Sequence, residues 1–276
     1  MEWFCENLHK ITQQCLRVSR VIYEGKTEFQ SMQVLENERF GRFLVLDGVV
    51  QTTEADEFFY HEMLAHVPLF ALNEPKQVLI IGGGDGGCLE EVLKHPVERA
   101  IMAELDQGVI DVSREYLPSI CGSAFDDPRT ELIIGDGAKF LAETDHRFDL
   151  IIIDSTDPIG PGEVLFSRDF YTNCRDRLTD QGILITQNGV PFIQRGEFDG
   201  SRKSFEALFR YPDFYFVAVP TYALGNMALG CASNGTEARN VPIADLRRRF
   251  EAVAPATKYY TPEIHQAAFA RPAYLL

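Results

Sequence analysis

The sequence has no uninterrupted apolar run approaching the ~20 residues that a bilayer-spanning helix needs. It also has no basic excess: 26 Lys and Arg stand against 41 Asp and Glu, for a formal charge of −15. Nucleic-acid binders depend on a basic surface that neutralises phosphates, so this balance excludes that class. The opening Met1-Glu2-Trp3-Phe4-Cys5-Glu6 lacks the basic and apolar regions of a secretory signal. The chain therefore reads as soluble and cytoplasmic, with no membrane or nucleic-acid partner. Cysteine is sparse, with six residues (Cys5, Cys15, Cys88, Cys121, Cys174, Cys231) far apart and no CxxC or Cys/His ligand spacing. Neither a metal site nor a disulfide framework is signalled, and buried thiols are expected. No internal repeat, low-complexity tract or linker is visible. The one charge run, Arg247-Arg248-Arg249, reads as a solvated helix face.

What is present is ordinary globular material, 45% hydrophobic and 24% charged, in a length of 276 residues that suits one large domain or one domain with a small companion. The β-branched and apolar runs Val18 to Tyr23, Met32 to Leu35, Phe43 to Leu46 and Val49 to Thr52 predict a small antiparallel sheet. Asp47-Gly48 between the last two is a two-residue hairpin signal. From Asp56 the period changes to about 3.6, with Phe59, Met63, Leu64 and Val67 on one face of a boundary helix punctuated by Pro68 and Pro75. The predicted division is an N-terminal β-domain over residues 1–66 and a larger domain over 67–276.

In the larger part, strand-like runs (Val78 to Ile81, Ala100 to Leu105, Leu132 to Ile134, Leu150 to Ile153, Ile183 to Thr186) alternate with helical patterns (Leu89 to His95, Val109 to Leu117, Ala138 to Glu143, Asp169 to Leu178). Short, nearly continuous apolar strands alternating with amphipathic helices predict an α/β fold whose parallel sheet is covered on both faces. Ligands of such sheets sit at the carboxyl ends of the strands.

The chemistry-bearing residues cluster at those ends. The first strand runs into Gly82-Gly83-Gly84-Asp85-Gly86-Gly87, a glycine-rich turn that lets the backbone approach a nucleotide or nucleoside closely. Glu104 closes the second strand about 20 residues further on, where the ribose ligand of this fold belongs. Asp85 discriminates among ligands: a loop carboxylate repels a pyrophosphate and suits an ammonium better than a methionine carboxylate. The implied ligand is a nucleoside with a cationic tail. Asp136 and Gly137 after the third strand offer an acceptor and an amide that match the edge of adenine, although Asp136 also has the place of a helix cap. The fourth strand ends in Asp154-Ser155-Thr156-Asp157 before a Pro/Gly-rich loop, two acids able to bind an ammonium group or accept its proton.

GGGDGG, AELD, GDG and DSTDPIGPGEVLF, with LDGVVQTTEADEFFYHEM upstream and IHQAAFARPAYL at the end, resemble the spermidine synthases, or polyamine aminopropyltransferases, nearly end to end. The resemblance implies a small antiparallel β-domain joined to a Rossmann-like, methyltransferase-type domain, assembled as a homodimer or homotetramer. It implies decarboxylated S-adenosylmethionine as donor co-substrate, putrescine as acceptor, and no cofactor or metal. By position, Gln30, Glu104, Asp136, Gly137 and Pro161 would hold the nucleoside, and Asp85 and Asp154 would bracket the aminopropyl group. Tyr60, His61, Asp154, Ser155, Thr156, Asp157, Gln187 and Tyr222 would line the amine channel, with Trp3 a candidate for its distal end. Asp154 would accept the proton. Many relatives carry Gln where this chain has His61. Two other readings stay open: a methyltransferase using intact S-adenosylmethionine, and a non-catalytic binder of polyamines or nucleosides.

Overall fold

The computed structural model describes residues 2–156 and 160–276, without the side chains of 160 and 161. A hairpin of β1 (Glu2–Cys5) and β2 (Cys15–Val18) leads into an antiparallel sheet of β3 (Arg20–Lys26), β4 (Ser31–Asn37), β5 (Gly41–Leu46) and β6 (Val49–Thr53). Asp47 and Gly48 both take positive φ, the backbone that a tight hairpin turn demands. One face of this sheet (Met32, Val34, Leu44, Leu46) packs on Val109, Val112, Leu117 and Ile120 of the larger domain; the other (Leu35, Phe43, Val45, Val50) packs on Leu16 and Phe4 of the hairpin.

The larger domain follows as α1 (Glu57–Ala71), β7 (Gln77–Gly82), α2 (Gly87–Leu93), β8 (Arg99–Glu104), α3 (Gln107–Tyr116), α4 (Pro118–Cys121), β9 (Thr130–Ile134), α5 (Gly137–Glu143), β10 (Phe148–Asp154), α6 (Arg168–Arg177), β11 (Leu178–Gln187), α7 (Arg195–Leu208), β12 (Tyr211–Val217), β13 (Met227–Ser233), α8 (Ile243–Val253) and α9 (Pro262–Ala268). The sheet order is β12-β13-β11-β10-β7-β8-β9, parallel from β11 to β9, with β13 antiparallel to both its neighbours. This is the expected Rossmann-like, methyltransferase-type α/β fold with its small N-terminal antiparallel sheet. Strand residues alternate between two cores, Val78 and Ile80 facing α1 and α2, Leu79 and Ile81 facing α5 and α6. The strand order reverses between β7 and β10, and a crevice opens at their carboxyl ends.

The fold departs from expectation at four places. Cys5 and Cys15 are joined in a disulfide on the exposed hairpin, because antiparallel pairing puts them opposite one another with Cα atoms 4.1 Å apart; the other four cysteines are free and buried, as expected. The run Val18 to Tyr23 is broken at Ser19, whose N–H and hydroxyl both donate to the Glu36 carbonyl, so β2 ends before β3 begins. The boundary helix α1 continues through Pro68, and a division after residue 66 would cut it. It is buried on nearly every side from Tyr60 to Ala71, packed among the sheet, α2 and α8, and that burial outweighs the backbone bond lost at Pro68.

The fourth departure lies in the arginine run. Arg247 and Arg248 pair on the surface with Glu263 and Asp245, but Arg249 turns inward, and its Nη1 donates to the carbonyls of Phe70, Ala71 and Leu72 at 2.8, 2.8 and 3.0 Å. The end of α1 leaves acceptors that no helical N–H can satisfy, and a guanidinium supplies both donors and the favourable charge. No helix of the described residues is long and apolar enough to cross a membrane. Because Arg249 caps the end of α1 remote from the crevice, Arg249→Met is expected to destabilise the protein by about 1–3 kcal/mol. Thermal denaturation would show a lower Tm, while ligand binding at low temperature stays at the native level.

Candidate functional site

The crevice is built on a close backbone approach. Gly83 N–H donates to the Asp154 carbonyl at 2.8 Å, and a Cβ on Gly82 would stand 2.2 Å from that oxygen. Gly82, Gly83 and Gly86 all adopt positive φ, so the turn requires glycine for its dihedrals as well as its space. Asp85 folds back onto the start of α2, accepting from Gly87 N–H at 2.9 Å.

Asp154 ends β10 at the centre of the site. Its Oδ1 accepts from the Tyr60 hydroxyl at 2.7 Å, while Oδ2 is buried with no hydrogen-bond partner among the described residues. Burial and the neighbouring charge of Asp85 push this carboxyl up to about 6 against the opposing effects of His61 and Tyr60. Tyr60 is itself driven well above the ordinary phenol range by burial and by Asp154, so it remains a donor. Its ring meets Tyr222 edge-on at 5.8 Å, and the Tyr222 hydroxyl donates to the Gln51 carbonyl. Ligand atoms of His61, Asp85 and Asp154 all lie within 4.8 Å of one another, a spacing that fits an amine nitrogen. A metal would find less there, since His61 Nδ1 is taken by Glu57 at 2.9 Å and Nε2 faces Asp85 at 3.4 Å.

A second wall carries the candidate nucleoside ligands. Glu104 ends β8, half-buried, with Oε1 accepting from Asp106 N–H at 2.9 Å; burial, and the like charges of Asp106 and Asp154, push it up to about 7. Gln30 reaches across from the N-terminal sheet to donate to Asp106 Oδ2 at 2.9 Å, beside Thr27 at 2.7 Å. Asp106 thus caps α3 with one oxygen and ties the two domains with the other. Gly135 N–H donates to the Glu104 carbonyl, which brings the start of α5 alongside, and Asp136 there caps Ala138 and Lys139. The capping alternative for Asp136 is therefore realised, while the residue stays exposed at the strand end. Gly137 packs where a Cβ would meet Ile81 at 2.5 Å.

Among the remaining candidates, Gln187 donates to the Ser155 carbonyl at 3.1 Å, the Ser155 hydroxyl is buried without a partner among the described residues, and Thr156 is exposed. Asp157 lies outside the described residues, as does the side chain of Pro161. Trp3 is exposed on β1 opposite Arg17, and it is Gln14 of the same hairpin that reaches the segment carrying Tyr222, through the Thr221 carbonyl at 2.9 Å.

Sequence reasoning missed three residues that organise the site. Asp56 binds the Thr221 N–H and hydroxyl at 2.9 and 2.7 Å, docking the Tyr222 segment on the start of α1. Glu57 pairs with His61 at the i,i+4 spacing that marks helix neighbours, a signal visible in the chain. Asp106 stands directly before the α3 pattern, the place of a cap, and its second role across the domains has no local signal.

The comparisons with known proteins place the whole chain in one family. Residues 57–241 match the model of the Spermine/spermidine synthase domain, and residues 2–54 that of the Spermidine synthase tetramerisation domain. The polyamine aminopropyltransferase of Ruegeria sp. is 54% identical over 274 residues, 99% of this chain and 96% of its own length. Polyamine aminopropyltransferase 1 of Pseudomonas aeruginosa is 50% identical over 277 residues, 100% of this chain and 97% of its own. A spermidine synthase crystallised with the transition-state analogue AdoDATO superimposes with a TM-score of 0.92 at 40% identity, covering 99% of this chain and 93% of that one.

The elevated Glu104 carboxyl makes a distinct prediction for nucleoside binding. Near pH 6, below its value of about 7, Glu104 is mostly protonated in the free protein. Ribose hydroxyls donating to it would favour the ionised form, so methylthioadenosine binding is expected to release a proton. Calorimetry in buffers of differing ionisation enthalpy would measure that release, and Glu104→Gln should abolish it. Binding without release would remove Glu104 from the ribose.

Proposed function

The chain belongs to the spermine/spermidine synthase family of polyamine aminopropyltransferases, and from that premise we propose that it is a spermidine synthase. In this reading it moves the aminopropyl group of decarboxylated S-adenosylmethionine to putrescine, giving spermidine and 5'-methylthioadenosine. The observation that carries the reading is the convergence of Asp85, His61 and the unpartnered Asp154 Oδ2 where the strand order reverses.

An amine nitrogen attacks the propyl carbon bonded to the sulfonium. The new C–N bond forms as the C–S pair returns to sulfur, and methylthioadenosine leaves as a neutral thioether. The sulfonium already carries the activating charge, so the proposed reaction calls for no metal or further cofactor. Gln30, Glu104, Asp136, Gly137 and Pro161 are assigned to the nucleoside. Tyr60, His61, Ser155, Thr156, Asp157, Gln187 and Tyr222 are assigned to the amine with Asp85 and Asp154.

The difficult component is the nucleophile. An alkylammonium with pKa ~10.4 is about one part in a thousand free base at neutral pH, a deficit of about 4–5 kcal/mol. Asp154 at about 6 is a better acceptor than an ordinary carboxylate, yet still well below the amine. The ammonium therefore loses its first proton to solvent before attack, and Asp154, oriented by the 2.7 Å hydrogen bond from Tyr60, relays to solvent the proton of the secondary ammonium that bond formation leaves.

The N-terminal match supports assembly as a homodimer or homotetramer of identical subunits. The four buried free thiols are the support for a cytoplasmic location.

Incubation with decarboxylated S-adenosylmethionine and a panel of putrescine, cadaverine, agmatine and spermidine, with products identified by mass spectrometry, tests the acceptor. Putrescine is expected to give the highest kcat/KM. Asp154→Asn should lower kcat by about 10²–10⁴, the contribution usual for a positioned acid or base. Near-native turnover of that variant under saturating substrates would remove Asp154 from the role. Tighter binding of the carboxylated than the decarboxylated nucleoside would favour a methyltransferase instead.

A further inference from the structure

Glu57 lies one helical turn before His61. Its Oε2 is 2.9 Å from His61 Nδ1, and the opposite ring nitrogen, Nε2, faces Asp85 Oδ2 at 3.4 Å. The side chains of Glu57, His61 and Asp85 are only 9%, 2% and 13% exposed. A carboxylate on each side of the ring favours a proton on both nitrogens, since a neutral imidazole would present a lone pair to one of the two anions. Burial alone opposes that charge, but Asp85 and Glu57 overcome it and hold His61 well above the ordinary histidine value. Gly87 makes the room: a Cβ there would stand 2.3 Å from the ring.

The other titratable groups nearby leave this charge uncontested. Tyr60 on α1 and Cys88 on α2 are both driven well above their ordinary values, first by burial, and stay neutral. Glu90 on α2, which senses Glu57, is paired with Lys94 at 2.9 Å. From β10 comes Asp154, whose carboxylate lies within 4.8 Å of the His61 nitrogen.

We propose that Glu57 is a positioning residue that keeps His61 cationic, and that this buried cation offsets Asp85 and Asp154 at the point of attack so that the acceptor amine is held there uncharged. The inference rests on the aminopropyl-transfer reading and bears on its hardest step. Two carboxylates by themselves raise the pKa of a bound amine, whereas a cation within the same few ångströms lowers it. On binding the ammonium releases one proton to solvent, the nitrogen lone pair forms the C–N bond as the C–S pair returns to sulfur, and the resulting secondary ammonium sheds its proton to solvent by way of Asp154.

Glu57→Gln removes the charge while keeping size and an accepting oxygen. Histidine-selective ¹⁵N NMR of the substrate-free protein is expected to show an imidazolium across neutral pH in the native chain and a downward-shifted titration in the variant. The acid limb of kcat against pH should move up by about one unit, a loss of about tenfold on that limb. KM for putrescine should not rise, because the cation nearest the bound dication is lost while Asp85 and Asp154 stay, and Glu57→Asp should restore part of the native profile. A neutral His61 ring in the native protein would overturn the proposal. So would a loss in Glu57→Gln by one factor at every pH with a parallel rise in KM, the pattern of a merely structural defect. The NMR arm needs no turnover: a cationic His61 in a protein that yields no methylthioadenosine with any diamine would overturn the transfer reading, and a neutral His61 in an active enzyme would overturn only the role given to Glu57.

Discussion

The site depends first on how closely β7 and β10 approach at their carboxyl ends. Gly83 N–H bonds the Asp154 carbonyl, and Gly82 leaves that oxygen space that any Cβ would occupy. This contact presents the Asp154 side chain at the mouth of the crevice beside the glycine turn. The strand order reverses there, the place where ligands of such sheets bind.

Several acids partly buried together would be costly without compensation. The compensation is unevenly distributed. Asp85 is held by Gly87 N–H and His61, Asp106 by Thr27, Gln30 and Gly108, and Glu62 behind the site by three backbone N–H groups from Lys258 to Tyr260. Glu104 and Asp154 are the exceptions, with carboxyls raised to about 7 and about 6. Perturbed acids in a cleft, amid acids that are satisfied, mark the positions where a ligand is to supply the missing partners.

Helix α1 carries much of this organisation, and it shows how far local sequence can be read. Its period was legible from Phe59, Met63, Leu64 and Val67, and the pairing of Glu57 with His61 follows from i,i+4 spacing. Its continuation through Pro68 was not legible, because the stabilising groups come from α8, where Arg249 lies more than 170 residues further along the chain. The same applies to Asp56: the acid before a helix reads as a cap, yet its side chain is taken by Thr53 and Thr221. Cys5 and Cys15 show the reverse case. Nothing in their spacing announced a bond, and antiparallel pairing alone made it geometrically available.

By itself the sequence determined the alternation of strands and helices, the Asp47-Gly48 hairpin, the glycine turn, and the acids Glu104, Asp136 and Asp154 at strand ends. These are local consequences of periodicity, turn chemistry and where a strand must stop. Tertiary structure alone decided which of those acids meet. It brought Asp154 under Tyr60, placed His61 between Glu57 and Asp85, and joined Gln30 to Asp106 across two domains. Charge states follow from burial and from neighbours distant in the chain, so they become readable only once the packing exists.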